Sequence, residues 1–144
     1  MPELVNQYSL ALQALMLMFA TLLVQSLVAT LAHRKQPHYI PGIVDKQLSH
    51  ASFVFRSHRT FMNSLENLPM MVGPVLVGLL SGFDAVQLGL MCWIYAITRL
   101  LHMALYYAIA TEKNPSPRSY FYSIGLLVNV MLIVMVTVHL LSSR

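Results

Sequence analysis

Four apolar runs, each long enough to cross a bilayer, constrain this chain more than any other feature. They occupy about residues 10–32, 56–80, 85–110 and 119–141 of 144, and a hydrocarbon core takes about 20 residues of helix per crossing. Lipid offers no water to backbone N–H and C=O groups, so each run must satisfy them within itself. Helices do this, and none of the runs shows the alternation of a barrel strand. Composition agrees: 57% of residues are hydrophobic and only 10% charged, against roughly 25% charged in soluble domains. The sequence predicts an all-α integral membrane four-helix bundle with up-down topology, a single domain over residues 1–144.

No Lys or Arg precedes the first run, which is longer than a signal-peptide core, so the first span is expected to be retained. Arg34, Lys35, Lys46, Arg56, Arg59, Arg99, Lys113 and Arg118 fall in or beside the loops joining spans 1 to 2 and 3 to 4, and Arg144 alone lies opposite. By the positive-inside rule both loops are cytoplasmic and both termini face away. The absence of a retention signal and the short termini favour a bacterial inner membrane over the endoplasmic reticulum. The net charge of +4 is dispersed along helix ends, which suits lipid headgroups and argues against a nucleic-acid partner. Cys92, the lone cysteine, has no intrachain disulfide partner. His33, His38, His50 and His58 lie scattered, without the paired spacing of a metal site, and no metal is expected.

The connection "HRKQPHYIPGIVDKQLSHASFVFRSHR" starts as an irregular loop. From Asp45, the positions Val44, Leu48, Ala51 and Phe55 recur at helical spacing and predict that the second helix begins before the membrane. "SGFD", residues 81–84, is a tight turn with Asp84 as N-cap of the third helix. The prolines of "TEKNPSPRS", residues 111–119, prevent one helix from running through that segment, and Pro69 and Pro74 are expected to kink the second helix.

Ionisable side chains within a span are costly, about 2.5 to 3.5 kcal/mol at mid-bilayer, and mark functional sites. Here they form stripes. Arg59, Asn63, Glu66 and Asn67 share one face of the second helix, Tyr95, Arg99, His102 and Tyr106 one face of the third, and Arg118, Ser119, Tyr122 and Asn129 a stripe on the fourth. Most lie toward the cytoplasmic ends, so the three faces are expected to converge on one polar pocket. The plain alternative is a structural network in which Glu66 neutralises Arg59 or Arg99 and the tyrosines form an interfacial belt. That alternative supplies too many cations for one carboxylate. Surplus positive charge with one carboxylate suits a ligand carrying several carboxylates and one ammonium, such as a small zwitterionic peptide.

These residues carry a family likeness. "RTFMNSLEN" resembles the Arg-x-x-x-Asn-x-x-Glu motif of the membrane-associated proteins in eicosanoid and glutathione metabolism, the MAPEG family. "RLLHMALYY" and "PRSYFYSIG" resemble its third-helix Arg-x-x-His-x-x-x-Tyr and the start of its fourth helix. The resemblance implies a homotrimer of four-helix subunits that binds glutathione, as co-substrate, between subunits near the cytoplasmic face, with a lipophilic electrophile arriving from the bilayer. By the same resemblance Arg34, Arg59, Asn63, Glu66, Arg99, His102, Tyr106, Arg118 and Tyr122 would hold the tripeptide, with Glu66 on its γ-glutamyl amine. Two departures are visible. The stretch from Tyr106 to Arg118 is longer than in the animal prostaglandin synthases, and Met62 replaces their second arginine, which argues against that isomerase activity.

The implied activity is that of a glutathione transferase, with reduction of lipid hydroperoxides as a second possibility in the same family. A free thiol, with a pKa of about 8.5, is mostly protonated at neutral pH, whereas the thiolate is the nucleophile. A guanidinium or hydroxyl donor near sulfur favours the anion, and a two-unit drop corresponds to about 2.7 kcal/mol. Arg118 is the expected electrostatic stabiliser, with Ser119 or Tyr122 donating to sulfur. Two other readings compete. A non-catalytic lipid-binding scaffold of the same fold would lose the thiol-activating groups. A small four-span exporter would carry a carboxylate in its first helix, where this chain offers Gln13 and Gln25.

Overall fold

The computed structural model describes residues 2–143, which form five helices and no strand. They are α1 (Pro2–Gln7), α2 (Ser9–Arg34), α3 (Phe53–Leu80), α4 (Ala85–Ala108) and α5 (Pro117–Ser142). The last four fall on the expected runs. α1 was not foreseen: it breaks from α2 at Tyr8, whose φ of −101° and ψ of 20° leave the helical range. The buried Tyr8 hydroxyl donates to the Phe83 carbonyl at 2.7 Å and so pins this break to the α3–α4 turn.

Three helices, α2, α4 and α5, are long and apolar enough to cross a membrane. α3 is longer still at 28 residues but is not among them, because Arg56, His58, Arg59, Asn63, Glu66 and Asn67 crowd its first half. It continues as helix through Pro69 and Pro74. α4 is central, packing against α2, α3 and α5, while α5 also packs on α3. Ala11, Leu15, Met71, Leu88, Leu132 and Val136 meet in the core. Leu23, Leu31, Leu90, Val134 and Leu141 point outward. Apolar side chains inside and outside alike are what lipid as solvent requires.

Small residues set the helix spacing. At Gly89 an added Cβ would lie 2.8 Å from Leu10 Cβ, so α2 and α4 approach as closely as they do only because a side chain is absent there. The α3–α4 turn depends on Gly82, at a φ of +72°. There the Phe83 N–H donates to the Gly78 carbonyl at 2.8 Å and closes the helix end. Asp84 caps α4 as its sequence position predicts, with Oδ1 accepting from the Gln87 N–H at 2.8 Å.

Two boundaries differ from expectation. The second long helix starts at Phe53, not near Asp45. Asp45 Oδ1 accepts from the Gln47 N–H at 2.9 Å and Ser49 Oγ from the Ala51 N–H at 3.3 Å. These side chains bind their own backbone two residues on and offer it an alternative to the helix, which the apolar spacing alone does not register. α4 ends at Ala108, two residues before the expected 110, because Ile109 turns extended at φ −111° and ψ 111°. The segment 109–116, which holds Pro115, is then non-helical. At the start of α5, Pro117 takes the first turn, and the Ser116 N–H donates to Ser119 Oγ at 3.2 Å.

Candidate functional site

The polar residues gather at the end of the bundle where α2, α3 and α4 meet the long connections. On α4, Arg99, His102 and Tyr106 are all buried. Arg99 Nη2 reaches α3, donating to Asn63 Oδ1 at 2.7 Å and to Ser64 Oγ at 3.0 Å. The Asn63 backbone carbonyl accepts from Asn67 Nδ2 at 2.7 Å, which fixes the Asn67 side chain on the same face.

One turn further along α4 lies an aromatic and cationic cluster. The His102 ring meets Tyr106 edge-on at 5.5 Å and lies 6.4 Å from Tyr122 of α5. Arg118, buried in the first turn of α5, places its Cζ 4.1 Å from the Tyr106 ring centre. The stacking fixes the guanidinium plane, and Arg118 Nη2 donates to the Thr111 carbonyl at 3.2 Å. Arg118 Nη1, Arg99 Nε and His102 Nδ1 are buried without a hydrogen-bond partner. Among the described residues the one salt bridge joins His50 to Glu112. Both buried arginines of the site therefore rest on neutral acceptors and lack an internal counter-anion. Leaving a buried cation uncompensated costs several kcal/mol.

The stripes do not all turn into one pocket within this chain, contrary to the sequence expectation. Arg59 and Glu66 are exposed, whereas Asn63 and Asn67 turn inward. At about 100° per residue, Arg59 and Glu66 sit at one edge of the stripe and Asn63 and Asn67 at the other. Spacing defines the stripe, but only packing shows where the buried face ends. Glu66 does not neutralise Arg59 or Arg99, and the simple structural network fails on that point. Arg34 is exposed at the end of α2 and lines a separate cleft of about 280 Å³ with His33, Tyr39, His58 and Phe61. Ser119 Oγ is taken up by the α5 cap, 3.1 Å from Ser116 Oγ.

Sequence reasoning missed His50 and Arg56. His50 was one of several loop histidines, and its partners are 56 and 62 residues away, at Tyr106 and Glu112. Arg56 Nη1 donates to the carbonyls of His50 and Ala51 at 2.6 and 2.9 Å, and Nη2 to that of Tyr107 at 3.4 Å. The last turn of α4 carries no cation of its own. That gap was the available hint that another element would supply one.

A bundle of long apolar helices, with buried cations gathered at one end, defines a helical membrane protein with a polar, cationic end. Residues 10–138 match the MAPEG family, and the chain belongs to it. That family includes glutathione-dependent transferases and related enzymes. No curated protein and no solved structure matches the chain.

Proposed function

We propose that the protein is a membrane-bound glutathione transferase, with hydroperoxide reduction as a further outlet of the same thiolate. Its substrates would be glutathione and a lipophilic electrophile delivered through the bilayer. The observation that carries this reading is the buried Arg118, stacked on Tyr106 with Nη1 unpartnered and no carboxylate beside it. A fixed guanidinium in a site of low dielectric favours thiolate over thiol. With Ser119 engaged in the cap, Tyr122 is the better placed hydroxyl donor to sulfur. Arg99, with Asn63 behind it, suits a carboxylate of the tripeptide.

The exposed Arg59 and Glu66 extend the proposal to assembly. On a helix at membrane depth, an outward carboxylate and guanidinium are unfavourable unless covered. A four-span subunit in a homotrimer, with glutathione at the subunit boundary, would cover them and bring Arg34 of a neighbouring copy toward the ligand. The basic loops would face the cytoplasm, the termini the opposite side, and a bacterial inner membrane is the proposed location.

The test is thiolate absorbance in the near ultraviolet when the purified protein meets glutathione at neutral pH. Thiolate formation is expected in the wild type, with its loss in Arg118→Ala and a fall in transferase rate of about 100-fold or more. Binding without ionisation would leave the scaffold of the same fold, and failure to bind glutathione would reject both.

A further inference from the structure

Ionising a bound thiol releases a proton, and that proton needs a way out of a cluster where Arg118 and His102 are buried. His50, from the loop before α3, lies against the cluster. Its ring stacks on Tyr106 with centres 5.7 Å apart and planes at 30°, and its Nε2 is 3.1 Å from the Tyr106 hydroxyl. On the opposite side Nδ1 is 2.6 Å from Glu112 Oε2, while Glu112 Oε1 accepts from the His50 backbone N–H at 2.8 Å. An ionised carboxylate can only accept, so Nδ1 carries its hydrogen and the neutral ring offers Nε2 to the Tyr106 O–H. Exposure rises along this line, from 9% at Tyr106 to 21% and 65% for the side chains of His50 and Glu112. The line runs from the cluster to water. Phe55 of α3 meets the His50 ring edge-on at 5.0 Å. Arg56 donates to the His50 carbonyl, and Arg118 lies over Tyr106. Glu112 is thus the anionic neighbour of His50, and Arg56 and Arg118 are the cationic ones.

We propose that Tyr106, His50 and Glu112 form the exit path for the proton of the bound thiol. This rests on the thiol-activating reading above. The S–H bond breaks and its proton passes to Tyr106 Oη as the tyrosine's own proton passes to His50 Nε2. The electron pair stays on sulfur beside Arg118. The new imidazolium is held by the Glu112 carboxylate until water takes the proton at the exposed side of the ring. His50 and Glu112 are positioning residues, acting on the sulfur only through Tyr106.

The experiment mixes full-length protein with glutathione in stopped flow, following thiolate absorbance and a pH-indicator dye together. S-methylglutathione, which has no thiol proton, reports binding alone. His50→Gln and Glu112→Gln are expected to bind S-methylglutathione as the wild type does, yet to ionise glutathione about tenfold more slowly or worse. Free imidazole is expected to restore the rate in His50→Gln. Glu112 lies on an exposed loop, so Glu112→Gln gives a reading even where His50→Gln folds poorly. Wild-type ionisation rates in Glu112→Gln, or a slow His50→Gln that ignores imidazole, overturn the path and leave the transferase reading standing. A wild type that binds glutathione without forming thiolate overturns both.

Discussion

The two ends of the bundle solve opposite problems. At the end carrying the α3–α4 turn, polar groups find partners: the buried Tyr8 hydroxyl donates to the Phe83 carbonyl, and Nε2 of the half-buried His139 lies 3.0 Å from the Ser81 carbonyl. Around them Leu79, Leu88 and Val136 fill the core. At the loop end, Arg56 Nε, Arg99 Nε, His102 Nδ1 and Arg118 Nη1 are buried with no partner. Native proteins leave few buried polar atoms unsatisfied; here the unpartnered cationic groups gather at the loop end, while the unpartnered amides of Gln25 and Asn129 lie further along α2 and α5. The contrast also explains α3, which is apolar where it passes the first region and polar where it passes the second.

Substitutions can break this contrast or sharpen it. Leu132, fully buried at 0% exposure on α5, gives the largest expected effect. Leu132→Ala is expected to lower stability by about 2 to 5 kcal/mol, measured by denaturant unfolding in detergent, with glutathione affinity of the folded fraction unchanged. A matching loss of affinity would show that the two regions are not separable. Gly89→Ala comes next, at about 1 to 3 kcal/mol, since its Cβ would press on Leu10. A thermal melt checks the sign.

Arg99→Met tests the opposite region and is expected to have the opposite sign. Removing a buried charge that rests on neutral partners should leave the protein as stable, or more stable by up to about 2 kcal/mol, while glutathione binding measured by calorimetry falls. A strongly destabilised Arg99→Met would mean that the loop end is a structural network after all. The smallest effect is at Glu112, whose carboxyl the His50 side-chain hydrogen bond holds below its ordinary 4.5. A lowered carboxyl contributes stability above its unfolded value and loses it as pH falls through the folded one. Thermal stability should therefore decline as pH drops below 4.5, and the decline should be shallower in Glu112→Gln.

Much of this was legible from residue order. The positions of the four long helices, the Asp84 cap and the break through 109–116 follow from local rules, because lipid forces apolar runs into helices and prolines stop them. The stripe on α3 was legible as well, but its division was not: Asn63 and Glu66 differ by less than one turn, and neighbouring helices decide which of them is covered. The late start of α3 was hidden because Val44, Leu48, Ala51 and Phe55 fit a helical spacing, while Asp45 and Ser49 between them bond their own backbone.

By itself, then, the sequence determined a helical membrane chain with cations and tyrosines on particular helix faces, since hydropathy and periodicity act within a few turns of backbone. Tertiary structure alone decided that Arg118 lies over Tyr106, that Arg99 leans on Asn63, and that His50 joins Glu112 to the cluster. Those contacts depend on the rotation of each helix about its axis and on loop closure across dozens of residues. Both are fixed by packing against distant segments, such as the approach of α2 to α4 at Gly89.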